Sequence, residues 1–211
     1  MLLPAGLVLA YLAGSFPTAY LAGRARGVDL GAVGSGNYGA TNVFRNLGAG
    51  PAALVVAVDL AKGLLPVLLI PRAMPMPGLS LSMHQVLLAI AAVLGHVFSI
   101  FLRFRGGKGI ATAGGAYLAL APVPTLVAAL AWVAVVLATR IVSLASLTAA
   151  VVLLAGVLLR EEVAAGGGWV LAWLTVAIVA LVFWTHRENI GRLQRGEERR
   201  IAVGRSGGDR R

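Results

Sequence analysis

Residues 113–139 read AGGAYLALAPVPTLVAALAWVAVVLAT, and the division of this run decides the fold. A helix needs about 20 apolar residues to cross roughly 30 Å of bilayer hydrocarbon, so the run is long enough for one crossing. Pro122 and Pro124 argue against a single helix. Proline lacks the backbone N–H and its ring clashes with the preceding turn, which ends or kinks a helix. The expected division is a short helix at about 113–121 and a longer one at about 124–139.

Further apolar runs lie at 2–23, 51–71, 84–103, 141–159 and 168–185. No basic residue precedes the first, so it does not read as a cleavable signal peptide. Pro51 and Pro71 fall at the two ends of the second, where proline is tolerated. Three polar stretches, 24–50, 103–112 and 186–200, hold most of the chemistry-bearing side chains and are expected to share one membrane face as active-site segments. Six spans would put the third stretch opposite the second; seven, with the run at Pro122 divided, put all three together. On the seven-span division fifteen of the eighteen basic residues fall on that face, with only Arg72 and Arg160 opposite and Lys62 inside the second run. Basic loops stay cytoplasmic, so the N-terminus is expected outside and the C-terminus in the cytoplasm. Five or six spans are the fallback counts, because so short a helix cannot cross alone. The last residues, 204–211, are expected to be disordered.

Composition agrees. Of 211 residues 59% are hydrophobic and 12% charged, with a mean hydropathy of +0.88, whereas soluble domains carry about 25% charged residues. A water-soluble globule and a disordered chain are both excluded. The absence of cysteine removes disulfide scaffolds and Cys-based metal centres, and His84, His96 and His186 are too scattered for a local metal motif. The net charge of +10 does not mark a nucleic-acid binder, since the basic residues sit between apolar runs and form no single basic face. What remains is one polytopic membrane domain, all α, over 1–211.

The first motif is Gly34-Ser35-Gly36-Asn37-Tyr38-Gly39-Ala40-Thr41-Asn42-Val43-Phe44-Arg45. It contains G-x-G-x-x-G, but a dinucleotide site needs a strand before the glycines and a βαβ unit around them. A more general reading stands: glycines let backbone N–H groups form an anion-binding concavity. Ser35, Asn37, Thr41 and Asn42 add donors, and Arg45 a guanidinium fork suited to phosphate. The alternative is a plain Gly/Asn-rich turn. The second motif, Phe104-Arg105-Gly106-Gly107-Lys108-Gly109, is not a Walker loop, because Leu102 and Gly109 occupy positions that need Gly and Ser/Thr. It still places a lysine among three glycines before a helix, where anions are favoured; a positive-inside loop is the bland reading. In the third, His186-Arg187-Glu188-Asn189-Ile190-Gly191-Arg192-Leu193, helical spacing puts His186 and Asn189 on one face; an amphipathic helix end at headgroup level is the bland reading. Inside the apolar runs, Asp59 and Lys62 can pair at i, i+3, and ionisable groups at this depth suggest function by default. His96 reads as a packing histidine and His84 as interfacial.

Together these segments resemble the bacterial PlsY family of acyl-phosphate:glycerol-3-phosphate acyltransferases. The resemblance covers most of the chain and rests on the 34–45 motif, D-L-A-K-G at 59–63, G-H…F-R-G-G-K-G at 95–109, T-R-I-V-S-L-A-S at 139–146 and H-R-E-N-I at 186–190. It departs at Ser99, where the family usually has proline, and after Asn189, where Gly191-Arg192 and Gly196-Glu197-Glu198 replace a lysine and a Gly-Thr-Glu. It implies a seven-helix protein of the bacterial inner membrane, with cytoplasmic loops assembled into the site. The implied reaction moves a fatty acyl group from acyl phosphate to the 1-hydroxyl of glycerol 3-phosphate, giving lysophosphatidate and phosphate, the first acylation of phospholipid synthesis. No cofactor, metal or nucleic acid is implied.

On this resemblance Lys108 and Arg45 hold phosphates and offset transition-state charge, Ser35 holds the acyl-phosphate end, and His186 and Asn189 position glycerol 3-phosphate. Gly34, Gly36, Asn37, Gly39, Thr41, Asn42, Gly106, Gly107 and Gly109 are the expected phosphate-binding set, with Ser146, His96, Asp59 and Lys62 as secondary candidates. The proton acceptor is either His186 or the leaving phosphate. A soluble enzyme that makes acyl phosphate is a candidate partner for the basic tail. No cysteine and no Ser-His-Asp order offers a covalent relay. The His-x-x-x-x-Asp box of thioester-dependent acyltransferases is absent, since Ala89, Phe101 and Gly191 stand five residues after the histidines. The rival classes are a small transporter of a phosphorylated solute or anion and a purely structural membrane subunit.

Overall fold

A computed structural model describes residues 2–160 and 168–201; the expected disorder at 204–211 lies outside the described residues. Ten α-helices and one 3₁₀ turn are formed among them, and no strand. The helices are α1 (Leu2–Ser15), α2 (Thr18–Arg24), α3 (Ala40–Leu47), α4 (Ala49–Ala73), α5 (Leu81–Val97), α6 (Ile110–Leu120), α7 (Pro122–Thr139), α8 (Val142–Leu158), α9 (Trp169–Thr185) and α10 (Arg187–Gln194), with the 3₁₀ turn at Ile100–Leu102.

The proline-bearing run does divide, at Ala121. Pro122 takes the first turn of α7, where a missing N–H leaves no bond unmade, so α7 begins two residues before the expected start. The short helix begins earlier than expected too, since Ile110, Ala111 and Thr112 of the second polar stretch already belong to α6. Pro71 does not close the second run: α4 continues to Ala73 with Pro66 and Pro71 inside it. Two helices, α3 and α10, lie within the polar stretches themselves.

Among the described residues four stretches are long and apolar enough to cross a bilayer, Leu2–Arg24, Ala49–Ala73, Leu81–Leu102 and Pro122–Thr139. A fifth is reached if α9 and α10, bent by 61° at His186, count as one span. The shorter α6 and α8 are apolar as well; at 1.5 Å per residue α6 covers only about half the hydrocarbon layer. The bundle's outside is as apolar as its inside: on α7, Leu130 is 70% and Leu137 74% exposed. Such side chains suit lipid, not water.

Lipid supplies no hydrophobic drive between helices, so close backbone approach through small residues does that work. Gly14 of α1 lies on the backbone of Ala92 in α5, and Gly95 of α5 on the backbone of Tyr11 in α1; a β-carbon at either would overlap a carbonyl oxygen. Gly63 of α4 and Gly115 of α6 form the same reciprocal contact with Thr112 and Leu60. Gly14→Ala is therefore expected to destabilise the protein by about 1–3 kcal/mol, read as a lower thermal midpoint in detergent. Ser99 donates to the Ser15 carbonyl at 2.6 Å and fastens the end of α5 to the end of α1. The main core runs through α5, α6, α8 and α9. A smaller core of Ala19, Leu30, Val43, Ala52 and Val55 seats α3 against the bundle.

Candidate active site

Three hydrogen bonds bring the three polar stretches together. Asn37 Nδ2 donates to the Gly106 carbonyl at 3.3 Å, linking the first to the second. Lys108 Nζ donates to Asn189 Oδ1, linking the second to the third. Arg45 Nη2 donates to the Arg199 carbonyl at 3.1 Å, linking the first to the third. Between them opens a cleft of about 470 Å³, lined by six cationic side chains (Arg45, Arg105, Lys108, Arg187, Arg192 and Arg199) against Glu188 and Glu198. That excess of positive charge suits phosphate dianions.

The glycine-rich segments contribute differently from a phosphate nest. In the first, Asn42 is 1% exposed and serves as an internal peg. The two hydrogens of its amide nitrogen are shared among the carbonyls of Leu30, Val33 and Asn37, and its oxygen accepts from Ser35 N–H at 3.2 Å. The Gly36 N–H is bound to the Val33 carbonyl. In the second, the Gly106 and Gly107 N–H groups donate to the carbonyls of Val97 and His96 at 2.9 and 3.1 Å. A β-carbon at Gly106 would overlap the His96 carbonyl, and one at Gly107 the His96 ring. These two glycines therefore permit the turn to lie flat on the end of α5. Just before them Arg103 and Phe104 both adopt positive φ, 53° and 61°, a strained reversal of the kind found at functional sites.

The bound N–H groups of Ser35, Gly36, Gly106 and Gly107 are not available to an anion, whereas Arg45, Arg105 and Lys108 bring cationic side chains to the cleft. Gly34, Ser35, Gly36, Asn37, Arg45, Gly106, Gly107 and Lys108 border the cleft, whereas Gly39, Thr41, Asn42 and Gly109 lie off its wall. Gly109 instead caps α6 with φ +86°. Ser146 is buried and accepts from Trp132 Nε1 at 3.3 Å, away from the cleft. Asp59, Lys62 and His96 form a separate inner group.

Lys108 is the pivot. Thr185 Oγ1 shares its one hydrogen between the Lys108 carbonyl at 3.2 Å and the Val182 carbonyl at 3.0 Å, steadying the backbone while the ammonium reaches Asn189. Burial, reinforced by Arg192, pushes its pKa down to about 8. Asn189 cannot flip freely, because its Nδ2 donates to Glu198 Oε1 at 2.7 Å and an amide must present its oxygen to the lysine. Glu198 Oε2 in turn accepts from Arg192 Nε at 2.7 Å. Although burial raises the Glu198 pKa, hydrogen bonds from Asn189 and Arg192 outweigh it and hold the carboxyl below its usual range.

His186 stands just behind the wall, 3% exposed. Its Nδ1 lies 2.8 Å from the Val182 carbonyl and must carry the proton, which leaves the Nε2 lone pair free. Burial first, and the Lys108 charge second, push its pKa down to about 4, so the ring is neutral at physiological pH. Sequence reasoning did not single out Thr185, Arg192, Glu198 or Arg199. The Gly-Glu-Glu after α10 was visible only as a departure from a motif; its meaning depends on the chain reversing at Gly196, with φ +71°.

The chain matches the family described as glycerol-3-phosphate acyltransferase over residues 5–196. It is 50% identical over 197 residues to a glycerol-3-phosphate acyltransferase of Thermus thermophilus, covering 92% of this chain and 93% of that one. It is 47% identical over 198 residues to glycerol-3-phosphate acyltransferase 1 of Deinococcus radiodurans, covering 92% and 93%. The fold superimposes on a crystal structure of PlsY (YgiH), an integral membrane glycerol 3-phosphate acyltransferase, in its glycerol 3-phosphate form, with TM-score 0.83, 36% identity and coverage of 95% and 96%. The lysophosphatidic acid form of that enzyme gives a TM-score of 0.80. A matching sequence over nearly the full length and a matching helical architecture leave one assignment: the chain belongs to the glycerol-3-phosphate acyltransferase family.

Proposed function

We propose that the protein transfers a fatty acyl group from acyl phosphate to the 1-hydroxyl of glycerol 3-phosphate, releasing lysophosphatidate and inorganic phosphate. The observation that carries this is the cleft where Lys108, oriented through Asn189 and Glu198, shares a strongly cationic wall with Arg45 and Arg199. Both substrates bring a phosphate to it. Beside the cations, Val97, Phe98, Phe104 and Trp184 also border the cleft, with Phe98 and Trp184 packed at 5.9 Å between ring centroids, a surface suited to the acyl chain.

In this reading the glycerol hydroxyl oxygen attacks the acyl carbonyl carbon directly. A carbon–oxygen bond forms to glycerol, the bond to the phosphate oxygen breaks, and Lys108 and Arg45 offset the charge that builds up. Ser35 at the cleft edge holds the acyl-phosphate end. His186 offers its Nε2 lone pair to align the attacking hydroxyl. With a pKa near 4 it is a weaker base than the departing inorganic phosphate, whose second ionisation lies near neutrality, so the leaving phosphate takes the proton. Lys108 must be charged to do its work. The pKa of about 8 therefore predicts that kcat/KM falls as pH rises through that value, since kcat/KM follows free-enzyme ionisations.

The same reading takes α6 and α8 as spans, giving seven, with the N-terminus outside and the cleft facing the cytoplasm of a bacterial inner membrane. It also takes the basic tail as a landing surface for a soluble enzyme that makes acyl phosphate. Nothing in the geometry favours the transporter reading, whose discriminating result would be solute uptake without chemistry. The test is an assay in lipid mesophase with glycerol 3-phosphate and, in parallel, palmitoyl phosphate, palmitoyl-CoA or palmitoyl carrier protein. Lysophosphatidate from palmitoyl phosphate alone is the expected result. No product from any donor, in folded protein, overturns the proposal.

A further inference from the structure

Beneath the lysine turn the membrane helices enclose a second polar group that the acyl-transfer chemistry does not use. Asp59 and Lys62 on α4, His96 in the last turn of α5 and Thr18 at the start of α2 are each more than nine-tenths buried. Lys62 Nζ lies 2.9 Å from Asp59 Oδ1 and donates to the Phe16 carbonyl at 3.1 Å, at the break between α1 and α2. His96 looks both ways. Its Nδ1 is 4.0 Å from Asp59 Oδ1, too far for a direct hydrogen bond. Its Nε2 faces Gly107, and its carbonyl accepts the Gly107 N–H at 3.1 Å.

A cavity of about 10 Å³ is bordered by Thr18, Asp59, Lys62, His96 and the Gly106–Gly107 turn. That is about the room one water molecule needs. Thr18 Oγ1 and His96 Nδ1 are buried without a well-directed hydrogen bond to protein, and Asp59 Oδ1, which faces the Lys62 ammonium at 2.9 Å and lies beside Thr18, keeps lone-pair capacity for a further donor. Buried polar atoms in an apolar surround require partners, and an internal water typically makes about three bonds. A metal cation is a poor occupant, because the Lys62 ammonium already stands against the same carboxylate oxygen.

We propose that Thr18, Asp59 and His96 bind one internal water, which joins the intramembrane carboxylate to the lysine turn and makes Asp59 and His96 positioning residues for Lys108. The water accepts from His96 Nδ1–H, donates to Asp59 Oδ1 and shares its remaining bond with Thr18. This fixes the ring plane on which Gly107 rests, and with it the height of the neighbouring Lys108. Gly106 and Gly107 then carry the constraint without the damping that side chains would introduce.

The kinetic half of the test rests on the acyl-transfer reading; the structural half does not. A crystal structure of the full chain from lipid mesophase, at a resolution that shows ordered water, is expected to place density within hydrogen-bond distance of all three atoms. Thr18→Val keeps the side-chain volume and removes one partner of the water. It is expected to lower kcat several-fold, with KM for both substrates and the thermal midpoint unchanged. His96→Gln, which lacks a nitrogen at the Nδ1 position, is expected to lower kcat about tenfold, and His96→Asn, which retains one, to recover much of the loss. A cavity without density overturns the water site. Thr18→Val at wild-type kcat, or equal turnover of the Gln and Asn variants, overturns the positioning role. Wild-type protein that forms no product defeats the acyl-transfer reading instead, and the density still decides the water.

Discussion

Lys108→Ala is expected to lower kcat/KM for acyl transfer by about 10²–10³-fold, the usual loss when one preorganised charge donor is removed from a developing oxyanion. Three features make this the largest effect of any single substitution. The ammonium is partly desolvated, as its depressed pKa of about 8 records, and a charge shielded from water acts more strongly on its neighbours. Its backbone is held by Thr185 and its tip by Asn189, so little reorganisation is needed when charge appears. It is also flanked by glycines, so no adjacent side chain can substitute for it. Lys108→Arg should recover only part of the loss, because a planar fork does not reproduce a compact ammonium. Initial rates across a matrix of both substrate concentrations test the claim. A rise in KM with kcat preserved would show that Lys108 serves ground-state binding alone.

Glu198→Ala is expected to lower kcat by about 10–100-fold, the scale on which small misplacements of catalytic groups act, although Glu198 is not assigned any contact with reacting atoms. Its carboxylate fixes the amide of Asn189 and pairs with Arg192. Without it, the amide can turn its NH₂ toward the Lys108 ammonium and lose the bond. Arg192, freed from its partner, adds to the positive field that already depresses Lys108. The alkaline limb of the pH profile should therefore move to lower pH in this variant, a change that simple loss of stability would not produce. A double-mutant cycle completes the test. If Glu198 acts through Asn189, Glu198→Ala in an Asn189→Ala background should cost little more, because the two form one unit. Full additivity would place Glu198 on an independent path.

Much of the fold was legible because bilayer length and proline chemistry are local constraints. The divided run at Pro122, the second apolar run at 51–71 and the apolar helices after Arg140 all follow from residues within a few turns of one another. The continuation of α4 past Pro71 to Ala73 was not legible, because whether a proline ends a helix depends on what packs beside it. The site divides in the same way. Lys108, Arg45, His186 and Asn189 announce themselves by residue type in unusual polar settings. Gly106 and Gly107 were legible as glycines but not as to purpose: a turn that binds phosphate and a turn that lies against a helix end need the same absence of a β-carbon. Asn42 looked like a ligand and proved to be an internal peg. Glu198 was hidden because its partners lie on α10, and no spacing rule predicts the reversal at Gly196 that folds it back.

The bonds that close the cleft also have a bearing on biogenesis. Lys108 meets Asn189 across 81 positions, and Arg45 meets the Arg199 carbonyl across 154. Contacts so distant in sequence form late, after local structure is in place. A chain whose early helices have entered the bilayer, but whose α9 has not docked, would be lodged in the membrane and chemically silent. Turnover per inserted molecule would then measure completed packing, and a mixture of docked and undocked bundles would reveal itself as a reduced count of active sites with unaltered kinetics in those that work.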